Sequence, residues 1–258
     1  MADPIPDPSR IKQEFVQQFG AWGPGWQSML DRMPDFLKAY GDFVAAARKS
    51  RHLEPKVQEF LLIATSAATT QLHEPAIRHH IANALKCGAT RDEIGEVLQL
   101  TSVLGIHSCA IGVPLLIAEA RERGLGEDIE KAMNDPYRQK LKAEFIEKRG
   151  FWTDFWEGVL SLSPDFFTSY LRMSSLPWAT GALSPKVKEF IYIAINAATT
   201  HLYVDGLAVH IRNCFNHGAT VDEIMEVLEI ISTIGVYSCT VGLPILEELS
   251  REDAARAP

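Results

Sequence analysis

Residues 53–114 read LEPKVQEFLLIATSAATTQLHEPAIRHHIANALKCGATRDEIGEVLQLTSVLGIHSCAIGVP, and residues 183–244 read LSPKVKEFIYIAINAATTHLYVDGLAVHIRNCFNHGATVDEIMEVLEIISTIGVYSCTVGLP. The two stretches align without a gap at a constant offset of 130 residues, about half of their positions are identical, and the match continues to residues 119 and 249. A self-match of this length marks a repeated structural unit. The chain therefore carries two copies of one unit, which can be compared position by position.

Helix signals stand at the same places in both copies. Residues 90–93 (TRDE) and 220–223 (TVDE) are capping boxes, in which the threonine hydroxyl caps the third amide of a helix and the glutamate reaches back. Gly88 and Gly218 precede these boxes and are well placed to end the previous helix in a left-handed turn. Apolar residues recur between the signals with a helical period, and no strand-like alternation competes. The sequence predicts an all-α fold.

Prolines and glycines set the remaining helix boundaries. Ser163 and Ser184 each stand directly before a proline, which is the pattern of an N-cap followed by a first-turn proline. Gly105 and Pro114 should break or kink the last long segment of the first copy. In the first copy we expect helices near residues 9–20, 26–32, 35–48, 55–72, 75–87, 91–104 and 106–123.

The repeat also sets the expected domain organisation. We assign residues 1–123 to the first repeat, the charged stretch 124–138 to a linker, and residues 139–258 to the second repeat. Two repeats of this kind are too few and too long for a helical solenoid. Two tandem helical bundles related by a pseudo-two-fold axis are the favoured architecture.

Composition excludes several classes of function. The 258 residues carry a formal net charge of −8 with acids and bases interspersed, so neither nucleic acid nor an anionic membrane surface is an expected partner. The N-terminal segment MADPIPDPSR has no apolar run and predicts neither a signal peptide nor a membrane span. No two cysteines have a C-x-x-C spacing, which fits free thiols in a reducing, cytoplasmic location. The four cysteines are Cys87, Cys109, Cys214 and Cys239.

The two copies share one histidine, His80 in the first and His210 in the second. Imidazole titrates near neutral pH, so these residues are the candidate general acids or bases. Both also lie on the apolar stripe of a helix, where a core histidine hydrogen-bonded to a carbonyl is the alternative. Identity in both copies does not separate the two hypotheses, because a structural histidine would be kept as well.

The segment before each shared histidine differs between the copies. The first copy has His73 and Glu74 there, and the second has Tyr203 and Asp205. Polar groups at a helix end, one or two turns from a histidine, can form the floor of a pocket. We therefore expect these four residues to bind substrate in two unequal pockets. Glu74 and Asp205 have a second interpretation, since an acid at a helix start can cap it.

Histidines at positions 73, 79 and 80 raise the question of a metal site. Adjacent residues on a helix point about 100° apart, so His79 and His80 cannot both face one ion well. The second copy has no matching set, because Tyr203 and Val209 replace two of the histidines. We expect no metal.

Other shared residues have both structural and functional interpretations. Cys109 and Cys239 occupy the same position; a thiol in an apolar helix is usually inert packing, and a reactive role needs a lowered pKa. Glu59 and Glu189 are interpreted as solvated or interface carboxylates, with a partner of the shared histidine as the alternative. Core or subunit-contact anchors, or alternatively an aromatic lid, are expected of Trp22, Trp26, Trp152 and Trp156.

Taken together, these motifs resemble the carboxymuconolactone decarboxylase-like family, which includes the alkyl hydroperoxidase D-type enzymes. Each copy has L-x-P-K, A-A-T-T, the shared histidine, G-A-T-x-D-E-I-x-E-V-L and G-x-x-S-C-x-x-G-x-P in order. The resemblance covers most of both halves and implies an all-helical unit that pairs through its long helices. Such pairs commonly assemble into trimers or hexamers. A tandem chain would be a fused pseudo-dimer, and we expect a homo-oligomer, a trimer that mimics a hexamer.

The peroxidase branch of that family uses C-x-x-C-x-x-x-H with an upstream glutamate. Counting back 19 residues from each shared histidine to the glutamate position gives Leu61 and Ile191. Thiol peroxidase chemistry by that route is therefore not expected. The cysteine positions hold His73 and Ala76 in the first copy, and Tyr203 and Gly206 in the second.

The decarboxylase branch lacks the cysteines and keeps the histidine, as this chain does. It implies a cofactor-independent lyase, or a related proton-transfer enzyme, acting on a small organic acid or lactone from the breakdown of aromatic compounds. Arg78 and Arg212 are the nearest cations for a substrate carboxylate, although each lies on a different helix face from its histidine. We expect no cofactor and favour the first copy as the active one. The alternatives are a redox enzyme with an unusual cysteine and a non-catalytic oligomeric binding protein.

Overall fold

The computed structural model describes residues 7–149 and 152–256, and within these ranges all regular structure is helical. The first repeat contains α1 (Pro8–Phe19), α2 (Pro24–Arg32), α3 (Pro34–Ala47), α4 (Pro55–Ala67), α5 (Glu74–Lys86), α6 (Arg91–Ser102) and α7 (His107–Glu122). The second half contains α8 (Glu127–Met133), α9 (Pro136–Arg149), α10 (Asp154–Leu162), α11 (Pro164–Thr180), α12 (Pro185–Ala197), α13 (Val204–Asn216), α14 (Val221–Ser232) and α15 (Tyr237–Arg256). A 3₁₀ turn joins the last two helices of each repeat, Val103–Ile106 and Thr233–Val236.

Most of the predicted helix signals are confirmed. Both capping boxes form, and Gly88 and Gly218 adopt left-handed φ angles of +84° and +76°. Ser184 caps α12, because its Oγ accepts a hydrogen bond from the amide of residue 187 at 3.3 Å. Ser163 stands at the N-cap of α11 but makes no side-chain capping bond. The expected linker is not unstructured, because α8 lies within it.

One predicted boundary is wrong. The helix expected over residues 55–72 ends at Ala67, and the chain reverses before α5. Leu72 takes a left-handed φ of 44°, and the His73 amide donates to the Ser66 carbonyl at 2.9 Å. The same turn recurs at Leu202, with φ 50°. Residues 68–72 contain neither glycine nor proline, so the sequence carries no turn signal there.

Helices α4 and α12 lie at the centre of the molecule and pack against each other. Both are buried on nearly all sides, which is why they are apolar around most of their circumference. The turns that follow them meet, since Thr70 Oγ1 and Thr200 Oγ1 are 3.1 Å apart. Residues separated by the repeat offset of 130 touch each other only near the axis that relates the copies. This contact therefore marks the pseudo-two-fold axis.

Two buried glutamates connect the repeats. Glu96 on α6 accepts hydrogen bonds from the amides of Ala182 and Leu183 and lies 2.9 Å from the buried ammonium of Lys188 on α12. Its counterpart in the second repeat binds the loop before α4 with neutral partners only. Glu226 accepts from Ser50 Oγ, the amide of His52 and Gln58 Nε2.

The last helix of each repeat packs on the opposite repeat. Helix α7 packs on α10, and α15 packs on α2. At the second contact a Cβ on Gly25 would stand 2.4 Å from the backbone oxygen of Thr240, so only glycine permits this approach. Each bundle is therefore completed by a helix from the other copy.

Two continuous helical stretches, Arg91–Glu122 and Val221–Arg256, have the length and composition of a membrane span, with mean hydropathy of 1.9 and 1.5. In an 18-residue window of each stretch, 33% and 44% of the window is buried inside the protein. Core helices of soluble proteins have the same character, so these stretches do not indicate a membrane protein.

Candidate functional site

A cavity of about 420 Å³ surrounds His80 and is called the His80 cavity below. The part of the chain before α4 contributes aromatic residues to its wall, among them Trp22 between α1 and α2 and Tyr40 on α3. The second repeat closes it with Tyr237 and Pro244 of α15. A cavity of this size can hold a small organic molecule.

His80 is held by a hydrogen-bonded chain that joins it to buried Glu59 and half-buried Arg48. Its Nδ1 lies 2.7 Å from Glu59 Oε2, and the other carboxylate oxygen of Glu59 accepts a hydrogen bond from Arg48 Nη1 at 2.8 Å. Burial would raise the pKa of Glu59, but the hydrogen bonds and charges of His80 and Arg48 outweigh it and hold that pKa below its usual range. The ionised carboxylate fixes the proton of His80 on Nδ1 and leaves Nε2 for the cavity.

The antiparallel packing of α4 and α5 brings the acid to the imidazole. Glu59 lies on α4 and His80 on α5, 21 residues later. The position 19 residues before His80 holds Leu61, and the acid that contacts the histidine lies two residues earlier, at Glu59. Leu61 is fully buried in the core. The histidine-partner interpretation of Glu59 is the one that the structure shows.

His73 forms a second polar wall of the His80 cavity. Its ring stacks on Tyr237 with centroids 4.2 Å apart, and the Tyr237 hydroxyl lies 3.0 Å from Ser66 Oγ. His73 Nδ1 caps α5 by accepting from the amide of Ala76 at 3.2 Å, while Nε2 is buried without a hydrogen-bond partner in the described part of the protein. Burial and the nearby charge of His80 lower the pKa of His73, so this ring is neutral at neutral pH. Burial raises the pKa of Tyr237 to about 12.

His79 and Asn83 complete the floor of this cavity. Asn83 Nδ2 lies 3.1 Å from His79 Nε2. Burial, followed by the charge of His80, lowers the pKa of His79 to about 4. The guanidinium of Arg48 and the neutral imidazoles of His73 and His79 thus line the cavity beside His80, and the Glu59 carboxylate lies behind His80.

A second cavity of about 340 Å³, called the His210 cavity, has the corresponding position in the other repeat. His210 Nδ1 lies 2.7 Å from Glu189 Oε2, which repeats the imidazole–carboxylate pair. The second oxygen of Glu189 accepts from Asn213 Nδ2 at 3.1 Å instead of from an arginine. The imidazole is thus positioned in the same way, but the guanidinium is replaced by a neutral amide.

The repeats exchange a histidine and a tyrosine across the two cavities. In the His210 cavity Tyr203 packs on His107 of the first repeat, with centroids 4.3 Å apart. These residues are the counterparts of His73 and Tyr237, with the two residue types interchanged. Burial lowers the pKa of His107 to about 4, with smaller contributions from the charges of neighbouring histidines. Each cavity thus has a packed histidine–tyrosine pair whose two members come from opposite repeats.

The structure places three of the four expected binding residues at the cavities. His73 lines the His80 cavity, and Tyr203 and Asp205 line the His210 cavity. Glu74 lies outside, since its carboxylate is exposed and pairs with Arg78 at 2.6 Å.

The cations expected from the sequence do not line the cavities. Arg78 and Arg212 are exposed, because a residue two positions from a cavity-facing histidine points to the far side of the helix. The His80 cavity takes its cation from Arg48, at the end of α3. The counterpart of Arg48 in the other copy is Trp178. No pattern shared by the two copies therefore marks Arg48 in the sequence.

The cysteines lie outside both cavities. Cys109 packs against the aromatic cluster around Phe145, and Cys239 against the one around Phe15. Burial raises the pKa of Cys214, which disfavours a thiolate there. Within residues 7–149 and 152–256 no group of three or more histidine, cysteine or acidic side chains is arranged to hold a metal ion.

Sequence comparison agrees with this architecture. Residues 34–105 and 164–239, together more than half of the chain, match the Carboxymuconolactone decarboxylase family. The chain belongs to this family. Its two matched segments correspond to the two helical bundles, and among curated proteins no significant match was found.

A solved structure from Burkholderia xenovorans LB400 is similar to this chain over almost its whole length. It is described as "a putative gamma-carboxymuconolactone decarboxylase subunit". The two proteins are 46% identical, with a TM-score of 0.92. The similarity covers 97% of this chain and 100% of the other, so the tandem arrangement of the family fold is common to both.

Proposed function

We propose that this protein is a cofactor-independent lyase, or a related proton-transfer enzyme, that acts on a small organic acid or lactone in the His80 cavity. The observation that carries the proposal is the hydrogen-bonded chain Arg48–Glu59–His80 at the wall of a ligand-sized cavity. It combines a proton-transfer group with a cation that suits a carboxylate. Membership of the Carboxymuconolactone decarboxylase family supports the same reaction class.

Two residues that line this cavity each have a buried polar atom without a hydrogen-bond partner in the described residues. These atoms are Arg48 Nε and His73 Nε2. Buried polar groups are rarely left unpaired, so a ligand that accepts at Arg48 would satisfy one of them. A carboxylate is the natural partner of a guanidinium, because its two oxygens match the planar donors.

The proposed reaction divides into two steps. Cleavage of the bond to the carboxylate carbon releases carbon dioxide, and the electron pair of that bond delocalises into the unsaturated lactone. Protonated His80 then donates its Nε2 proton to the carbanion carbon, and a proton from solvent restores the imidazolium. Glu59 acts as a positioning residue, since it holds the ring through the Nδ1 contact of 2.7 Å.

Two single substitutions test the proposal. His80→Asn should lower turnover of the best substrate in a panel of lactone acids by about 10²-fold or more, the usual contribution of a general acid. His210→Asn is the matched change in the other repeat and should have a much smaller effect. Release of carbon dioxide and loss of substrate absorbance would be followed together, with circular dichroism as the check on folding. Unchanged turnover in both variants would rule the proposal out.

We also propose a homo-oligomer, a trimer of two-domain chains, in the cytoplasm. Three positions of α7 are exposed and apolar, and the same positions of α15 are exposed as well: Ile111, Leu115, Leu116, Val241, Ile245 and Leu246. Apolar stripes of this kind mark subunit contacts more often than solvent faces. Light scattering after size exclusion should give a trimer mass, and Leu115→Glu with Ile245→Glu should reduce it to that of one chain.

A further inference from the structure

Asn196 presents a buried and unused acceptor to the His210 cavity. Its side chain is only 1% exposed, and its Nδ2 donates to the Tyr192 carbonyl at 2.8 Å. That bond fixes the amide orientation and leaves Oδ1 buried, with no hydrogen-bond partner among the described residues. Gly206 lets this oxygen and the Tyr203 ring come close together, because a Cβ there would stand 2.5 Å from the oxygen and 2.6 Å from the ring. A buried acceptor without a partner costs stability, so its retention here points to a ligand that donates a hydrogen bond.

The other repeat does not have this feature. Ser66 is the counterpart of Asn196, and its hydroxyl already pairs with Tyr237 at 3.0 Å. Ala76 stands at the position of Gly206. The open acceptor therefore belongs to the His210 cavity alone.

The charges of the His210 cavity disfavour an anion. Its charged groups are the carboxylates of Asp205, which lines it, and Glu189, which pairs with His210. The residues that line it in the described structure include no lysine or arginine. The place of Arg48 is taken by Trp178, whose indole lies 3.3 Å from the Tyr192 hydroxyl. An organic acid would meet negative charge here and a guanidinium in the His80 cavity.

Several aromatic side chains stand in the walls of the His210 cavity. Trp156, Tyr170, Tyr192 and Tyr203 line it together with His107. Aromatic faces suit a flat unsaturated ring. We propose that the His210 cavity is a binding site for an uncharged aromatic alcohol of the phenol class, whose hydroxyl donates to Asn196 Oδ1. This site takes a different class of ligand from the acid of the proposed function, and its test needs no turnover.

Fluorine NMR of the full-length protein at neutral pH tests the site with three probes. Para-fluorophenol has the donor, para-fluoroanisole has the same ring without the donor, and para-fluorobenzoate has a negative charge. The phenol should bind about fivefold more tightly than the anisole, which is the size of one neutral hydrogen bond. The benzoate should not displace the phenol.

Substitutions assign the binding to Asn196. Asn196→Leu, which keeps the branched shape and removes the acceptor, should weaken binding of the phenol about fivefold or more. Gly206→Ala should have a similar effect, because the added methyl group would press against this oxygen and the Tyr203 ring, and it covers the case in which Asn196→Leu fails to fold. Arg48→Gln in the other cavity should leave phenol binding unchanged. Equal affinity for phenol and anisole, displacement by benzoate, or full phenol binding in both cavity variants would overturn the proposal.

Discussion

The two cavities are built on one frame and differ in charge. In each, an imidazole on the second helix of a hairpin is held at 2.7 Å by a carboxylate on the first helix. In the His80 cavity the second oxygen of that carboxylate meets Arg48, and in the His210 cavity it meets the neutral Asn213. The duplication has therefore kept the orientation of the imidazole and changed what its cavity can attract.

The contacts that hold the imidazole in each cavity are separate from the contacts that set its ligand preference. The histidine–carboxylate pair needs only the α4–α5 hairpin, so it is preserved wherever the hairpin is. The cation comes from the more divergent helices before the hairpin, and the stacking partner comes from the opposite repeat. Ligand preference can therefore diverge between the cavities without any change in the position of the imidazole.

The largest expected effect concerns the two glutamates that connect the repeats. Glu96→Ala leaves the ammonium of Lys188 buried without its carboxylate partner, which typically costs about 3–5 kcal/mol of unfolding free energy. Glu226→Ala leaves only neutral donors unpaired, which costs about 1–3 kcal/mol. Urea unfolding at one protein concentration would measure both.

A double variant sharpens this stability comparison. Lys188→Met in the Glu96→Ala background removes the stranded charge and should recover part of the loss. If Glu96→Ala and Glu226→Ala cost the same free energy of unfolding, the charged and neutral connections contribute equally to stability, which contradicts the prediction.

The next largest effect concerns the cation of the His80 cavity. Arg48→Gln should weaken binding of a carboxylate probe such as para-fluorobenzoate by about tenfold or more, because a hydrogen bond to a charged group contributes about 1.5–3 kcal/mol. Arg48→Lys keeps the charge but not the planar donor geometry, so its affinity for the probe should lie between those of the parent and of Arg48→Gln. Fluorine NMR titration gives the three dissociation constants. An Arg48→Gln protein with unchanged affinity would show that the acid does not bind at this guanidinium.

Much of the fold follows from sequence alone for a physical reason. Capping boxes, left-handed glycines and first-turn prolines are local signals, and the chain obeys them at residues 88–93 and 218–223. The turn after α4 is not encoded locally. Leu72 takes a positive φ because the packing of the hairpin requires a reversal there, and no residue between 68 and 72 announces it.

The candidate site was partly accessible to the same reasoning. His80 and His210 were found because both copies keep them, and Glu59 and Glu189 are kept in the same way, although the counted spacing pointed two residues away. Arg48 has no counterpart, and Tyr237 and His107 reach each cavity from the other repeat. The sequence does contain a signal that each cavity receives a residue from the opposite repeat. Positions 73 and 203, and positions 107 and 237, interchange histidine and tyrosine.

The interchange of histidine and tyrosine leads to a pH prediction. Burial lowers the pKa of His107 from 6.5 to about 4 in the folded protein, so below about pH 6.5 the unfolded chain binds a proton that the folded chain does not. The contribution of His107 to stability is therefore complete above pH 6.5 and is lost as the pH falls toward 4. His107→Tyr, which copies Tyr237, should lose less stability between pH 7 and pH 4.5 than the parent. Urea midpoints across this range provide the measurement, and parallel pH curves would contradict the prediction.

The smallest expected effect concerns Glu74, which the sequence suggested as a binding residue. Its side chain is 70% exposed, its partner Arg78 is 78% exposed, and the pair lies outside both cavities. Glu74→Ala should change the free energy of unfolding by no more than about 0.5 kcal/mol, because water screens exposed ion pairs. Binding of para-fluorobenzoate should stay within about twofold of the parent value, since no atom of this pair lines the cavity. His73→Ala is the matched change one residue earlier, and it removes both the cap of α5 and a cavity wall. If Glu74→Ala weakens binding of para-fluorobenzoate as much as His73→Ala does, the ligand must extend beyond the His80 cavity to the outer face of α5.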